Sequence, residues 1–332
     1  MMGLSFPVLL FLVVGFFFGW LILLKFDLIF ISLIALALGY KSIAVFIGFN
    51  APSSFEKATP SHSIRVVSWN VARFIEPARN NNTGSATRRK MLALLREQQA
   101  DVLCLQEFYT SDNPAFYNNI RAIQQELGFR YYYFPFDKDG DRNYYSSIIF
   151  SRYPIVDSSF LRYPRPSQPE ALVQADIKIG LDTIRFFTTH LQSQRFDKMD
   201  YWRMEKIRSR EDSLVYHSIP IVGKLKRGIV IRSMQADIID QVRNNSPYPV
   251  IMTGDLNDVP NSYTYFKVRG FFKDAFLEKG YGIGRTFRSL SPTLRIDYIF
   301  TDPRFKVQQF KREKKNYSDH YMIVADIQIG RP

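Results

Sequence analysis

Two kinds of hydrophobic pattern divide the 332-residue chain. Residues 1–24 carry no charge and are dominated by Leu, Phe, Val and Gly; after Lys25-Phe26-Asp27, residues 28–49 continue apolar with only Lys41 inside. About 20 apolar residues cross a bilayer as a helix. The pattern therefore predicts two transmembrane helices, about 4–24 and 28–49, joined by a tight turn. Lys41 would snorkel or mark the membrane edge. A secretory signal peptide is the competing reading, but no Lys or Arg precedes the first run, and the run is long before Ala35-Leu36-Ala37. The expectation is a retained anchor over 1–50, contact with membrane lipid, and a multi-pass protein of the cell membrane. Lys41, Lys57 and Arg65 outnumber Lys25 of the turn, which favours a cytoplasmic domain.

Beyond a Pro- and Ser-rich linker at 51–63, apolar runs of strand length alternate with amphipathic stretches over 64–332. Strands are expected at 64–71, 100–107, 146–150, 171–179, 183–190, 249–252, 295–300 and 321–327. Helices are expected at 87–99, 114–127 and 227–244, with a polar loop at 80–85. The opening strand–helix–strand order sets an α/β class, and the later hairpin spacings predict mixed sheets. The stretch 193–235 is charged and shows no assignable period.

Composition narrows the class. Hydrophobic content of 46% with 15% aromatics supports a sizeable core. A formal charge of +13 favours anionic partners: nucleic acid, lipid headgroups or phosphorylated small molecules. The single cysteine, Cys104, lies in an apolar run and reads as a buried hydrophobe; it excludes a disulfide framework and a cysteine metal cluster.

Polar residues stand where apolar strands end: Asn70, Glu107, His190, Asp255 with Asn257, and Asp319 with His320. Asp297 sits inside the apolar run Ile296-Asp297-Tyr298-Ile299-Phe300, where an unpaired carboxylate is costly. A carboxylate beside a neutral amide, as in Gly254-Asp255-Leu256-Asn257, suits phosphate chemistry. The carboxylate can deprotonate a water while the amide donates to a phosphoryl oxygen.

The order Trp69-Asn70, Gln106-Glu107, Thr189-His190-Leu191, Gly254-Asp255-Leu256-Asn257-Asp258, Ile296-Asp297-Tyr298-Ile299 and Ser318-Asp319-His320 resembles the endonuclease/exonuclease/phosphatase superfamily over about 64–328. Phe150-Ser151-Arg152-Tyr153-Pro154-Ile155 resembles a further segment of these proteins. The resemblance implies a four-layered α/β sandwich, two mixed β-sheets face to face with helices outside. It also implies metal-assisted hydrolysis of a phosphate ester by an in-line water. Glu107 would bind the metal with Asn70 and Asp319 nearby, and oxygen ligands suit Mg²⁺, with Mn²⁺ a possible substitute. Asp255 would be the base, and Asn257 would hold a phosphoryl oxygen. His320, kept cationic by Asp297, and His190 would contact the phosphate. Tyr144 is a further phosphate contact or a core tyrosine.

Three substrate readings follow. A nuclease-like phosphodiesterase is favoured by the basic balance and by clusters at 88–90, 224–227 and 311–315. A phospholipid (sphingomyelinase-like) or inositol/sugar-phosphate hydrolase would be served by the anchor. A catalytically inactive membrane scaffold is the third, and the intact polar set argues against it. Specificity is expected in 193–235, where Tyr201-Trp202-Arg203 could stack bases, contact lipid or pack on the core.

Overall fold

The computed structural model describes residues 2–330 apart from 53, 61, 75–84, 167–170, 195 and 210–213. The loop expected at 80–85 therefore lies outside the described residues except for Ser85. That serine caps the following helix by accepting a hydrogen bond from the Arg88 N–H.

The apolar N-terminus forms α1 (Met2–Ile22), a helix long and apolar enough to cross a membrane. The second expected span is not one helix. It is α2 (Phe26–Leu38) and α3 (Tyr40–Phe46), 13 and 7 residues long and bent by 63° at Gly39. Neither piece alone covers the roughly 30 Å of a bilayer core, so a multi-pass arrangement is not supported. The reason is visible downstream: α3 turns away from α2 to pack on the domain. Val45 is buried among Leu172, Phe187 and Phe300. The buried Arg295 guanidinium donates to the Val45 carbonyl at 2.6 Å. β1 (Gly48–Phe49) then joins the domain by pairing antiparallel with Tyr281 and Gly282.

The chain continues through β2 (Ser63–Asn70), α4 (Ala86–Gln98), β3 (Val102–Ser111), α5 (Asn119–Leu127), β4 (Tyr131–Tyr133) and β5 (Asn143–Ser151). It then runs through β6 (Ile155–Arg162), β7 (Ala171–Ile179), β8 (Asp182–His190), α6 (Lys198–Arg208), α7 (Leu214–Asn244) and β9 (Val250–Asp255). It ends with α8 (Tyr263–Arg269), β10 (Lys273–Asp274), α9 (Ala275–Lys279), β11 (Tyr281–Gly282), β12 (Asp297–Thr301), β13 (Lys306–Glu313) and β14 (Met322–Gln328). One mixed sheet has the order β13-β14-β2-β3-β5-β4, the other β10-β12-β9-β8-β7-β6.

Side-chain alternation along these strands builds the expected four layers. Ile64 and Val66 of β2, Cys104 of β3, Phe186 of β8 and Ile251 of β9 meet between the sheets. The opposite faces carry Val67, Trp69 and Leu103 under α4 and α5. On the other sheet, Phe187, Val250 and Met252 lie under α7 and α8. Cys104 is buried as expected, and burial pushes its thiol up to about 12. Within the charged stretch without a period, the described residues form two helices: α6 opens with a capping box at Asp197, and α7 is a 31-residue helix that reaches well upstream of 227.

Candidate active site

The same alternation that places the core places the polar strand ends. On β2 the inward face runs Ile64, Val66, Ser68, Asn70; on β9 it runs Ile251, Thr253, Asp255; on β8 it runs Phe186, Thr188, His190. Each series ends in a polar residue at one edge of the sandwich, where the two sheets face each other. Asn70 Nδ2 donates to Asp255 Oδ2 across the gap at 3.1 Å, although the two residues are 185 positions apart. β12 is antiparallel to β9 with Asp297 opposite Asp255. The parallel pairing of β8 and β9 sets His190 beside Asp255.

Gly254 is required where β8 and β9 meet. Its φ is +150°, and a Cβ there would lie 2.3 Å from the Thr189 carbonyl oxygen.

Glu107 breaks the alternation. With Leu103 and Leu105 on the helix-facing side, it should point away from Asn70. A register shift between Leu105 and Phe108 marks a β-bulge, and Glu107 takes a left-handed φ of +49°. Gln106 and Glu107 consequently share the inner side. Gln106 is buried and donates to Thr188 Oγ1 at 2.8 Å, while Glu107 Oε1 receives Asn70 Nδ2 at 3.3 Å and lies 3.6 Å from His190 Nε2.

At the centre is Asp255. Its Oδ1 accepts the Asn257 N–H at 2.8 Å. Its Oδ2 lies 3.5 Å from His320 Nε2 and 3.6 Å from His190 Nε2. Burial raises its carboxyl to about 6, partly opposed by the charge of His320. His320 Nδ1 is 2.9 Å from Asp297 Oδ2. Burial alone would depress that imidazole, but the carboxylates of Asp297 and Asp255 raise it well above its ordinary value, so it is cationic at neutral pH. Trp69 Nε1 donating to the His320 carbonyl at 3.0 Å, and Ser318 Oγ donating to the Asn70 carbonyl at 2.7 Å, tie the histidine's loop to β2.

Asn70, Glu107, His190, Asp255, Asp297 and His320 thus come together by direct contact. Asn257 faces the same cavity, with its Nδ2 donating to the Leu191 carbonyl at 3.0 Å. Asp319 also lines the cavity but is exposed. Among the described residues, the acidic and histidine groups whose ligand atoms lie within 4.8 Å of one another are Asp255, Asp297 and His320. A cationic imidazole with a carboxylate at each nitrogen is a poor metal ligand. Glu107 is the better candidate, since its carboxylate is partly exposed and lines the cavity, and oxygen ligands suit Mg²⁺. The Asn70 oxygen is taken by the Ala72 N–H, so Asn70 presents its amide hydrogens to Glu107 and Asp255. Tyr144 is not at this site; it packs edge-on to Phe136 and against the core under α4 and α5.

The profile described as the Endonuclease/Exonuclease/phosphatase family matches residues 67–320. No curated protein sequence matches the chain. Among solved structures, an endonuclease/exonuclease/phosphatase from Beutenbergia cavernae superposes with a TM-score of 0.59 at 19% identity, covering 81% of this chain and 72% of that one. D. rerio TDP2 complexed with a single-strand DNA product gives 0.52 at 18%, covering 80% and 98%. A mannosyl-6-phosphatase from Bacteroides thetaiotaomicron gives 0.52 at 16%, covering 80% and 99%. At these identities the likeness to solved structures is one of fold.

Proposed function

The chain belongs to the Endonuclease/Exonuclease/phosphatase family, whose members hydrolyse phosphate esters, and we propose that it is a Mg²⁺-dependent phosphodiesterase in which water attacks phosphorus in line. The observation that carries this reading is the buried Asp255 carboxylate, raised to about 6, set against a histidine held cationic by Asp297. A base with that affinity accepts a proton near neutral pH. Asp255 takes a proton from the water, whose oxygen bonds to phosphorus as the bond to the departing alcohol oxygen breaks. Solvent protonates the alkoxide. His320 and His190 offset the charge building on the phosphoryl oxygens, and the second amide hydrogen of Asn257 serves one of them.

Glu107 and Asp319 would hold the divalent cation, Mg²⁺ or Mn²⁺, with Asn70 fixing the Glu107 carboxylate. The cation would supply charge neutralisation at the phosphate. α1 would keep the enzyme at a membrane.

A nucleic-acid substrate is favoured by the charge of +13 and by the DNA product bound to one structural relative. The basic clusters weaken it. Arg88 is buried, bonded to Asn119 and stacked on Tyr117; Lys224 is paired with Asp197 and Asp200; Lys311 is paired with Glu313. In each cluster one cation is paired within the protein, Arg88 in the interior and Lys224 and Lys311 at the surface.

The test is hydrolysis of bis(p-nitrophenyl) phosphate by the full chain in detergent, with Mg²⁺ and with chelator. Activity that needs the metal and disappears in Asp255→Asn and His320→Ala is expected. Metal-independent turnover, or wild-type rates in both variants, would overturn the assignment.

A further inference from the structure

The cavity above the polar floor is far larger than a phosphate. At about 580 Å³ it has the size of a site for a whole ligand. Away from the floor its lining includes Leu4, Met204, Ile221, Leu225, Leu290 and Leu294. These come from the first turn of α1, from α6 and α7, and from the loop before β12. Apolar side chains gathered from such distant segments around an open space are costly unless something apolar covers them. Leu290 adds an independent sign: it is 52% exposed and has a φ of +68°, a conformation that costs a leucine and persists where the surroundings impose it.

Leu4 also fixes where the cavity lies. The apolar span of α1 begins at Gly3, so the cavity opens where the membrane-length helix leaves the domain. α6 and α7 line the cavity through Met204, Ile221 and Leu225, and elsewhere carry exposed Trp202, Tyr216 and Ile219 and exposed Lys226 and Arg227.

We propose that the site takes the phosphate ester of a lipid-like alcohol, with the phosphate on the Asp255–His320 floor and the hydrocarbon chain along the wall formed by Leu4, α6–α7 and Leu290–Leu294. The chain enters from the bilayer side. This inference rests on the phosphoesterase reading above and names its substrate class.

The test uses two p-nitrophenyl phosphate diesters whose second ester is methyl or octyl, given at equal free concentration to the full chain in detergent. Both release p-nitrophenol, so chemistry and leaving group are matched and only the chain differs. The octyl ester is expected to have a kcat/KM about thirtyfold higher. That preference should shrink by about tenfold in Leu225→Gln and in Leu290→Asn. Asparagine tolerates a left-handed backbone, so the second variant removes the apolar group without breaking the loop. Equal kcat/KM for the two esters, or an undiminished preference in both variants, would overturn the inference and leave the phosphoesterase standing. Hydrolysis of neither ester would remove both. Faster cleavage of a single-stranded oligonucleotide than of the octyl ester would overturn it in favour of nucleic acid.

Discussion

Asp255 and Leu225 line the same cavity, but they arrive there by different means. Asp255 is the last residue of a buried strand whose pairing with β8 and β12 fixes its position on both sides. Leu225 sits on a long helix whose upstream part is held to α6 by Lys224 bridging Asp197 and Asp200. The floor is set by two sheets, whose register cannot slip without turning core residues outward. The wall is set by helices and a loop that lie outside the two sheets. We propose that the sheet ends carry the reaction, and that α6, α7 and α1 carry the choice of substrate.

Substitutions in the floor should be severe. Asp255→Asn should lower kcat/KM on bis(p-nitrophenyl) phosphate by about a thousandfold while leaving the thermal midpoint close to wild type. Gly254→Ala attacks the same point through the backbone. Its Cβ would fall 2.3 Å from the Thr189 carbonyl, and chemical denaturation should register a loss of about 3 kcal/mol. Asp297→Asn leaves His320 without its partner, and kcat/KM should fall by about a hundredfold. The wall should respond more gently and differently. Ile221→Asn should reduce kcat/KM on the octyl ester by about tenfold, mostly through KM, because it removes chain binding rather than a step of the reaction.

The sequence makes the floor legible because strand alternation and strand ends are local signals. An apolar run ending in Asp255 or His190 declares which face the polar residue takes. Glu107 reads as a strand-end carboxylate, but β3 runs on to Ser111 and the inward direction of Glu107 depends on a bulge within the strand. Nothing in Gln106-Glu107 announces a left-handed φ of +49°. β13 went unread because Lys306–Glu313 looks like a basic run, and only its pairing with β14 makes it a strand. The stretch 193–235 lacks a period because several of its buried positions, Asp200, Arg232 and Gln235, are polar, while apolar Ile221 and Leu225 line a cavity and Trp202, Tyr216 and Ile219 are exposed. The break at Gly39 was hidden for a related reason: α3 is apolar in order to pack on the domain, which by composition looks the same as apolar in order to face lipid.

Two places could receive the cation: the Glu107 carboxylate, or the close cluster of Asp255, Asp297 and His320. We propose that the metal sits at Glu107 and that His320 carries a positive charge. Titration of the full chain with Mn²⁺, followed by the loss of the free-ion paramagnetic signal, tests this most directly. Glu107→Gln should weaken Mn²⁺ binding by more than about tenfold, whereas His320→Ala should change it by less than about threefold. Binding that survives in Glu107→Gln but is lost in His320→Ala would put the metal in the histidine cluster and contradict the account.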